Sequence, residues 1–176
     1  MKRVSTLGLA AAVLAGGGVT APAQEMPMPQ PTAEHERLQK DVGTWHAAVK
    51  MWMGPGDPML SEGTETVSMV GAFWQVSSFE GSLMGQAFEG SGVMGWDAGK
   101  KQYVTTWVDS MTPTLSHGSA TWDEAAKAYK GTLTVMGPDG SPQAMETIVS
   151  YPEEGKRVMT MKVAGQTTME ITYTKK

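Results

Sequence analysis

The chain has 176 residues, 18 acidic against 14 basic side chains, no cysteine and 40% hydrophobic residues, which suits one ordinary soluble domain. Without cysteine there is no disulfide framework, thiolate zinc site, iron–sulfur cluster, cysteine nucleophile or lipidated cysteine. Asparagine is absent as well, so N-glycosylation is excluded and left-handed turns fall to glycine and aspartate.

Lys2 and Arg3 precede an apolar run from Leu7 to Val19, and Ala21-Pro22-Ala23 supplies the small-x-small pattern that a signal peptidase accepts. Residues 1–23 therefore read as a cleaved secretory signal, and a periplasmic or extracellular location is expected. The run falls short of the roughly 20 apolar residues that cross a bilayer, and Gly16, Gly17 and Gly18 soften it, so no stable membrane anchor is expected. Cleavage removes two positive charges and moves the formal net charge from −4 to −6. The longest basic runs are Lys100-Lys101 and Lys175-Lys176, too short for the stripe that phosphate backbones require, which argues against nucleic acid as a partner. Residues 24–31, with three prolines, form an extended linker.

Residues 32–176 are predicted to form a single domain. Thr32 caps a short helix with Glu34 and Glu36 in its first turn, where acids favour the positive end of the helix dipole. His35, Leu38 and Val42 share one helical face. From Gly43 onward the helical period gives way to short segments rich in valine, threonine and aromatics, separated by turn residues such as Asp139-Gly140 and Asp97-Ala98-Gly99. These predict ten strands: 44–53, 60–69, 72–80, 86–96, 102–109, 114–122, 128–136, 143–151, 157–163 and 167–175. No connection is long enough for a parallel crossover, so the sheet is an antiparallel meander.

Period-two counting puts Trp45, Ala47, Val49, Met51 and Met53 on one face and His46, Lys50 and Trp52 on the other. Tyr129, Leu133 and Val135, then Met159, Met161 and Val163, then Met169, Ile171 and Tyr173 repeat the inward row, while Lys130, Lys162 and Glu170 point out. Ten strands with one apolar face leave two exposed edges unless the sheet closes. The expected fold is an all-β, closed or nearly closed up-and-down barrel of about ten strands, with the short N-terminal helix plugging one end.

Gly43-Thr44-Trp45, just after a helix and opening the first strand, resembles the Gly-x-Trp signature of the lipocalins and their calycin relatives. Gly85-Gln86-Ala87-Phe88-Glu89-Gly90, Gly95-Trp96-Asp97 and Tyr103-Val104-Thr105-Thr106-Trp107-Val108-Asp109-Ser110 are similar to recurring motifs of an uncharacterised bacterial family, domain of unknown function 1579. The resemblance runs from about His35 to Lys175. It implies an exported calycin-like barrel and brings no established activity, ligand or catalytic residue. Trp96 stands where a tyrosine is usual, and Lys175 where an arginine is common. In such a barrel the indole of Trp45 closes the narrow end, Gly43 permits close backbone approach, and Lys175, on the face of Met169, Ile171 and Tyr173, reaches the indole as a cation. His35 reads as a hydrogen-bonded plug residue.

Gly90-Ser91-Gly92-Val93-Met94-Gly95 satisfies G-x-G-x-x-G literally, but a turn follows it where the phosphate-binding version needs a helix. These glycines read as a bulge that bends the sheet. No G-x-S-x-G elbow, H-E-x-x-H or paired-histidine pattern supports a hydrolase triad or catalytic zinc.

After cleavage at residue 23 the chain keeps 14 methionines against five leucines and two isoleucines. The thioether is flexible and polarizable, and surfaces rich in it adapt to varied apolar ligands. The candidate ligand-binding residues are Met51, Met53, Met159, Met161 and Met169 with Tyr103, Trp107, Asp109 and His117. The expected function is non-catalytic binding of a small, mostly apolar molecule inside the barrel, with no cofactor. Two alternatives stand beside it. The pairs Met51-x-Met53 and Met159-x-Met161 suit Cu(I) or Ag(I), although His46 has the wrong parity to join them and the weak alternation around His117 leaves its direction open. An inward Asp109 or Glu65 would serve as a ligand-orienting carboxylate, or as the general base of a barrel-interior isomerase or hydrolase.

Overall fold

The computed structural model describes residues 28–176, so the proposed signal and the first half of the proline-rich linker lie outside the described residues. Residues 31–176 form one compact unit. A short helix α1 (Ala33–Gln39) precedes ten strands: β1 (Gly43–Met51), β2 (Met59–Val70), β3 (Trp74–Leu83), β4 (Gln86–Asp97), β5 (Gln102–Asp109), β6 (Ser116–Asp123), β7 (Ala128–Met136), β8 (Pro142–Glu153), β9 (Lys156–Val163) and β10 (Gln166–Lys175). All ten predicted strands are present, and β5 and β7 keep their predicted bounds. Each strand pairs antiparallel with its neighbours in sequence, and β1 pairs with β10, so the barrel is closed. That last seam runs from Trp45 opposite Lys175 to Met51 opposite Met169, and it removes the two edges that an open sheet would expose.

The alternation holds through the core. Trp45, Ala47, Val49, Val67, Phe79, Ile171 and Tyr173 form one buried cluster. Outside, Lys50 on β1 meets Glu170 on β10 at 3.0 Å. Toward the helix end, Leu38, Tyr103 and Tyr129 form a second cluster, with Trp96, Trp122, Val149 and Tyr151 packed against it. Trp96, the departure from the usual tyrosine, meets Tyr103 edge-on at 5.0 Å, so the larger ring is absorbed into the plug.

Helix α1 buries His35 and Leu38, as expected, but Val42 is 39% exposed. The helix ends at Gln39, and counting a helical face past that point put the wrong residue inside. Asp41 turns inward instead and is 5% exposed. His35 does act as a plug residue: its Nδ1 accepts the backbone N–H of Thr32 at 3.0 Å, and its ring meets Phe73 at 5.1 Å. The Trp45 indole donates to the carbonyl of Asp41 at 2.8 Å, locking the helix-to-strand link onto the barrel.

The glycine run of β4 is not a bulge, because β4 pairs in unbroken register with both β3 and β5. Gly90 and Gly92 instead make room for an aromatic ring. A Cβ on Gly90 would overlap the six-membered ring of Trp107, and one on Gly92 would lie 3.0 Å from the Cε3 atom of the same indole. The register shifts of the barrel fall elsewhere, between Thr167 and Met169 and between Ser150 and Glu153.

This packing sets a test. Gly90→Ala should destabilise the protein by about 1–3 kcal/mol, the usual cost of overpacking, whereas Gly54→Ala, where nothing lies within 4 Å of the added Cβ, should cause no loss. Denaturant midpoints of the two variants decide it, and an unaffected Gly90→Ala would refute the account.

Candidate functional site

The barrel encloses a chamber of about 470 Å³, within the range usual for small-molecule sites. Its walls are largely apolar, among them Phe79, Phe88, Leu133, Met159, Met169 and Ile171. It reaches the end of the barrel away from the helix, where Met111 and Met136 line it and are 37% and 39% exposed.

At the helix end the chamber has a charged floor. Arg157, at the start of β9, is 6% exposed, and Asp41 and Glu65 are 5% and 7% exposed. Arg157 Nη1 donates to Asp41 Oδ2 at 3.2 Å, and Nη2 pairs with Glu65 Oε2. The guanidinium carbon lies 4.6 Å from the centre of the Trp45 ring and 4.3 Å from that of Tyr173. Asp41 Oδ2 also accepts the Tyr151 hydroxyl at 2.8 Å and the Gln75 amide at 3.3 Å. Two carboxylates thus share one cation, and the floor carries a formal charge of −1. Burial pushes the hydroxyls around it away from ionisation: Tyr173 is raised to about 12, while Tyr129 and Tyr151 lie well above the usual phenol range.

Of the residues singled out in the sequence, Trp107, Asp109, Met159, Met161 and Met169 line the chamber. Asp109 sits at the end of β5, where Oδ2 accepts the Trp107 indole N–H at 3.2 Å and Oδ1 accepts the backbone N–H of Met111 at 2.9 Å and of Thr112 at 2.8 Å. It organises the rim, and Glu65 belongs to the floor. Four others lie elsewhere. Tyr103 is 1% exposed in the plug layer, where Arg37 Nη1 donates to its hydroxyl at 3.1 Å. Met53 lies past the end of β1 and is 73% exposed, since alternation stops where pairing stops. Met51 lines a separate depression with Met59 and Leu60. His117 is exposed: on β6 the inward row is Ser116, Ala120 and Trp122, with Gly118 between them, and small residues hide the period.

The barrel-closing trio behaves as expected in part. Lys175 Nζ is 5.2 Å from the Trp45 ring centre and its Cε approaches Gly43. The nearer cation is Arg157, from β9. Arg157 was legible in principle, because it shares the inward parity of Met159 and Met161. Asp41, Gln75 and Tyr151 carried no such signal, as each requires the helix end or the strand ends to be known. The methionines also meet across strands: Met59 pairs with Met51, Met51 with Met169, and Met169 with Met161.

The raised tyrosines set a pH dependence. A group whose pKa is higher in the folded state contributes its full stability below its unfolded value, near 10 for tyrosine, and loses it as pH climbs toward the folded value. Stability should therefore hold up to about pH 10 and then fall by roughly 1.4 kcal/mol per pH unit for each of Tyr129, Tyr151 and Tyr173. Denaturant midpoints measured against pH, with phenolate absorbance, test this. Stability unchanged between about pH 10 and 12 would contradict it.

Two solved structures are similar to this one. The S-type phycobiliprotein lyase of Guillardia theta is 14% identical, with a TM-score of 0.53 over 83% of this chain and 98% of that one. A redesigned β-barrel is 11% identical, with a TM-score of 0.44 over 79% and 94% of the two chains. No curated protein matches this chain in sequence. The first likeness shows the calycin-like barrel fold and nothing about activity. A family model matches residues 30–175, nearly the whole of the barrel unit, and the chain accordingly belongs to the family described as "Protein of unknown function (DUF1579)".

Proposed function

We propose that this protein is an exported, non-catalytic binder of a small, mostly apolar molecule held inside the barrel. The observation that carries the reading is the chamber of about 470 Å³ walled by methionine, phenylalanine and aliphatic side chains. Flexible thioethers adjust to a ligand without strict shape selection. Both carboxylates that could act as bases are engaged, Glu65 by Arg157 and Asp109 by three N–H groups. Burying ten methylenes yields about 8 kcal/mol, and association costs of at least about 4 kcal/mol oppose it, so a ligand of that size is expected to bind no tighter than about millimolar. Export rests on the N-terminal sequence pattern.

The test uses protein recovered from the periplasm of an expressing bacterium, whose mass should be that of residues 24–176, titrated with the neutral fluorescent probe N-phenyl-1-naphthylamine. Saturable, displaceable binding is expected, and Thr147→Trp, which places an indole in the chamber lining, should weaken it by at least about ten-fold. Absence of displaceable probe binding would sink the reading.

A second reading, soft-metal binding, is favoured by the methionine row Met59, Met51, Met169 and Met161 across four adjacent strands, since thioethers suit Cu(I). His117 takes no part in it, being outward. Anaerobic titration with Cu(I) against a chromophoric chelator should show one bound equivalent that Met51→Leu with Met169→Leu abolishes. Equal uptake by that variant would exclude the row.

A further inference from the structure

The floor of the chamber also bears on which apolar molecules fit. Among the described residues, the charged side chains lining the chamber are Asp41, Glu65, Asp109 and Arg157, three anions against one cation, a formal sum of −2. Both terminal nitrogens of the cation are engaged, one by Asp41 and the other by Glu65, while among the described residues its buried Nε–H has no partner. An incoming carboxylate would lose its water and meet a lining in which anions outnumber the one cation, which is unfavourable.

The floor nevertheless has hydrogen-bonding capacity to spare. The bonds received by Asp41 converge on Oδ2, and that received by Glu65 falls on Oε2. Among the described residues nothing donates to Asp41 Oδ1 or Glu65 Oε1, so these remain acceptors. The ring of Tyr129 lines the chamber beside that of Tyr151, 6.1 Å between centres. Tyr129 is 4% exposed, and among the described residues its buried hydroxyl has no partner. Buried polar groups are nearly always paired, so an orphan hydroxyl in a chamber wall points to a group supplied from outside.

Resting on the reading that the chamber takes an apolar ligand, we infer that the ligand is an uncharged amphiphile ending in a hydroxyl group, and that acids are rejected. A hydroxyl both accepts from Tyr129 and donates to a floor carboxylate, so it satisfies both vacancies at once. An ammonium donates only and must shed its hydration. A carboxylate accepts only and is repelled.

The test is displacement of N-phenyl-1-naphthylamine by 1-octanol, octylammonium and octanoate at neutral pH. The expected order of affinity is octanol, then octylammonium, then octanoate, with octanol at least about ten-fold above octanoate. The two ions separate charge from greasiness, because a merely apolar chamber would treat them alike. Tyr129→Phe should weaken octanol more than octylammonium. Octanoate equal to or tighter than octylammonium, or either ion tighter than octanol, would overturn the inference while leaving ligand binding intact. If the probe itself does not bind, the underlying reading fails and this one with it. Should Tyr129→Phe not fold, the order measured on the unmodified protein decides alone.

Discussion

One buried guanidinium joins most of the barrel's parts. Arg157 reaches from β9 to Asp41, which follows α1, to Glu65 on β2, and to the rings of Trp45 on β1 and Tyr173 on β10. Tyr151 of β8 and Gln75 of β3 close on the same Asp41. Intact buried ion pairs contribute little net stability over apolar packing, but removing one partner costs about 3–5 kcal/mol, because a desolvated charge is left alone. The consequence is positional. The helix, the Gly-x-Trp strand and the seam between β1 and β10 are held to one arrangement, since any other strands a charge.

The two ends of the barrel are built differently for this reason. At the helix end, aromatic rings fill the interior: Tyr103, Tyr129 and Trp122 meet edge-on at centre distances of 4.8 and 4.9 Å, and Arg37 lies 4.7 Å from the Trp122 ring centre. Edge-to-face packing of large rings fills space with few degrees of freedom. Toward the other end the inward positions pass to methionine and threonine, whose volumes do not meet across the barrel, and a chamber results. Gly90 and Gly92 belong to the same economy of space, since the Trp107 indole lies where their side chains would be.

Methionine shapes the chamber without defining what enters it. A thioether chain has three rotatable bonds and no directional hydrogen bond of consequence, so the walls set polarity more than shape. Direction comes from the floor, where carboxylates, a guanidinium and phenols occur within reach of one another in a low-dielectric setting that magnifies both their attraction and the cost of any group left unpaired.

Strand number, antiparallel order, the inward rows and the short capping helix were all legible in the sequence, because period-two alternation and turn residues are local properties. The resemblance carried by Gly43-Thr44-Trp45 and by the motifs from Gly85 to Ser110 agreed with them. The wall methionines Met159, Met161 and Met169 followed from parity alone. What parity could not supply was where each period begins and ends: Val42 and Met53 were placed inside because counting ran past Gln39 and Met51, and β6 concealed its phase behind Gly118 and Ala120. The floor escaped for a deeper reason. Asp41, Glu65, Gln75, Tyr151 and Arg157 come from five separate segments, and nothing local marks them as partners. Closure of β1 onto β10 brings them together, and only the enclosed, water-poor interior makes their pairing obligatory.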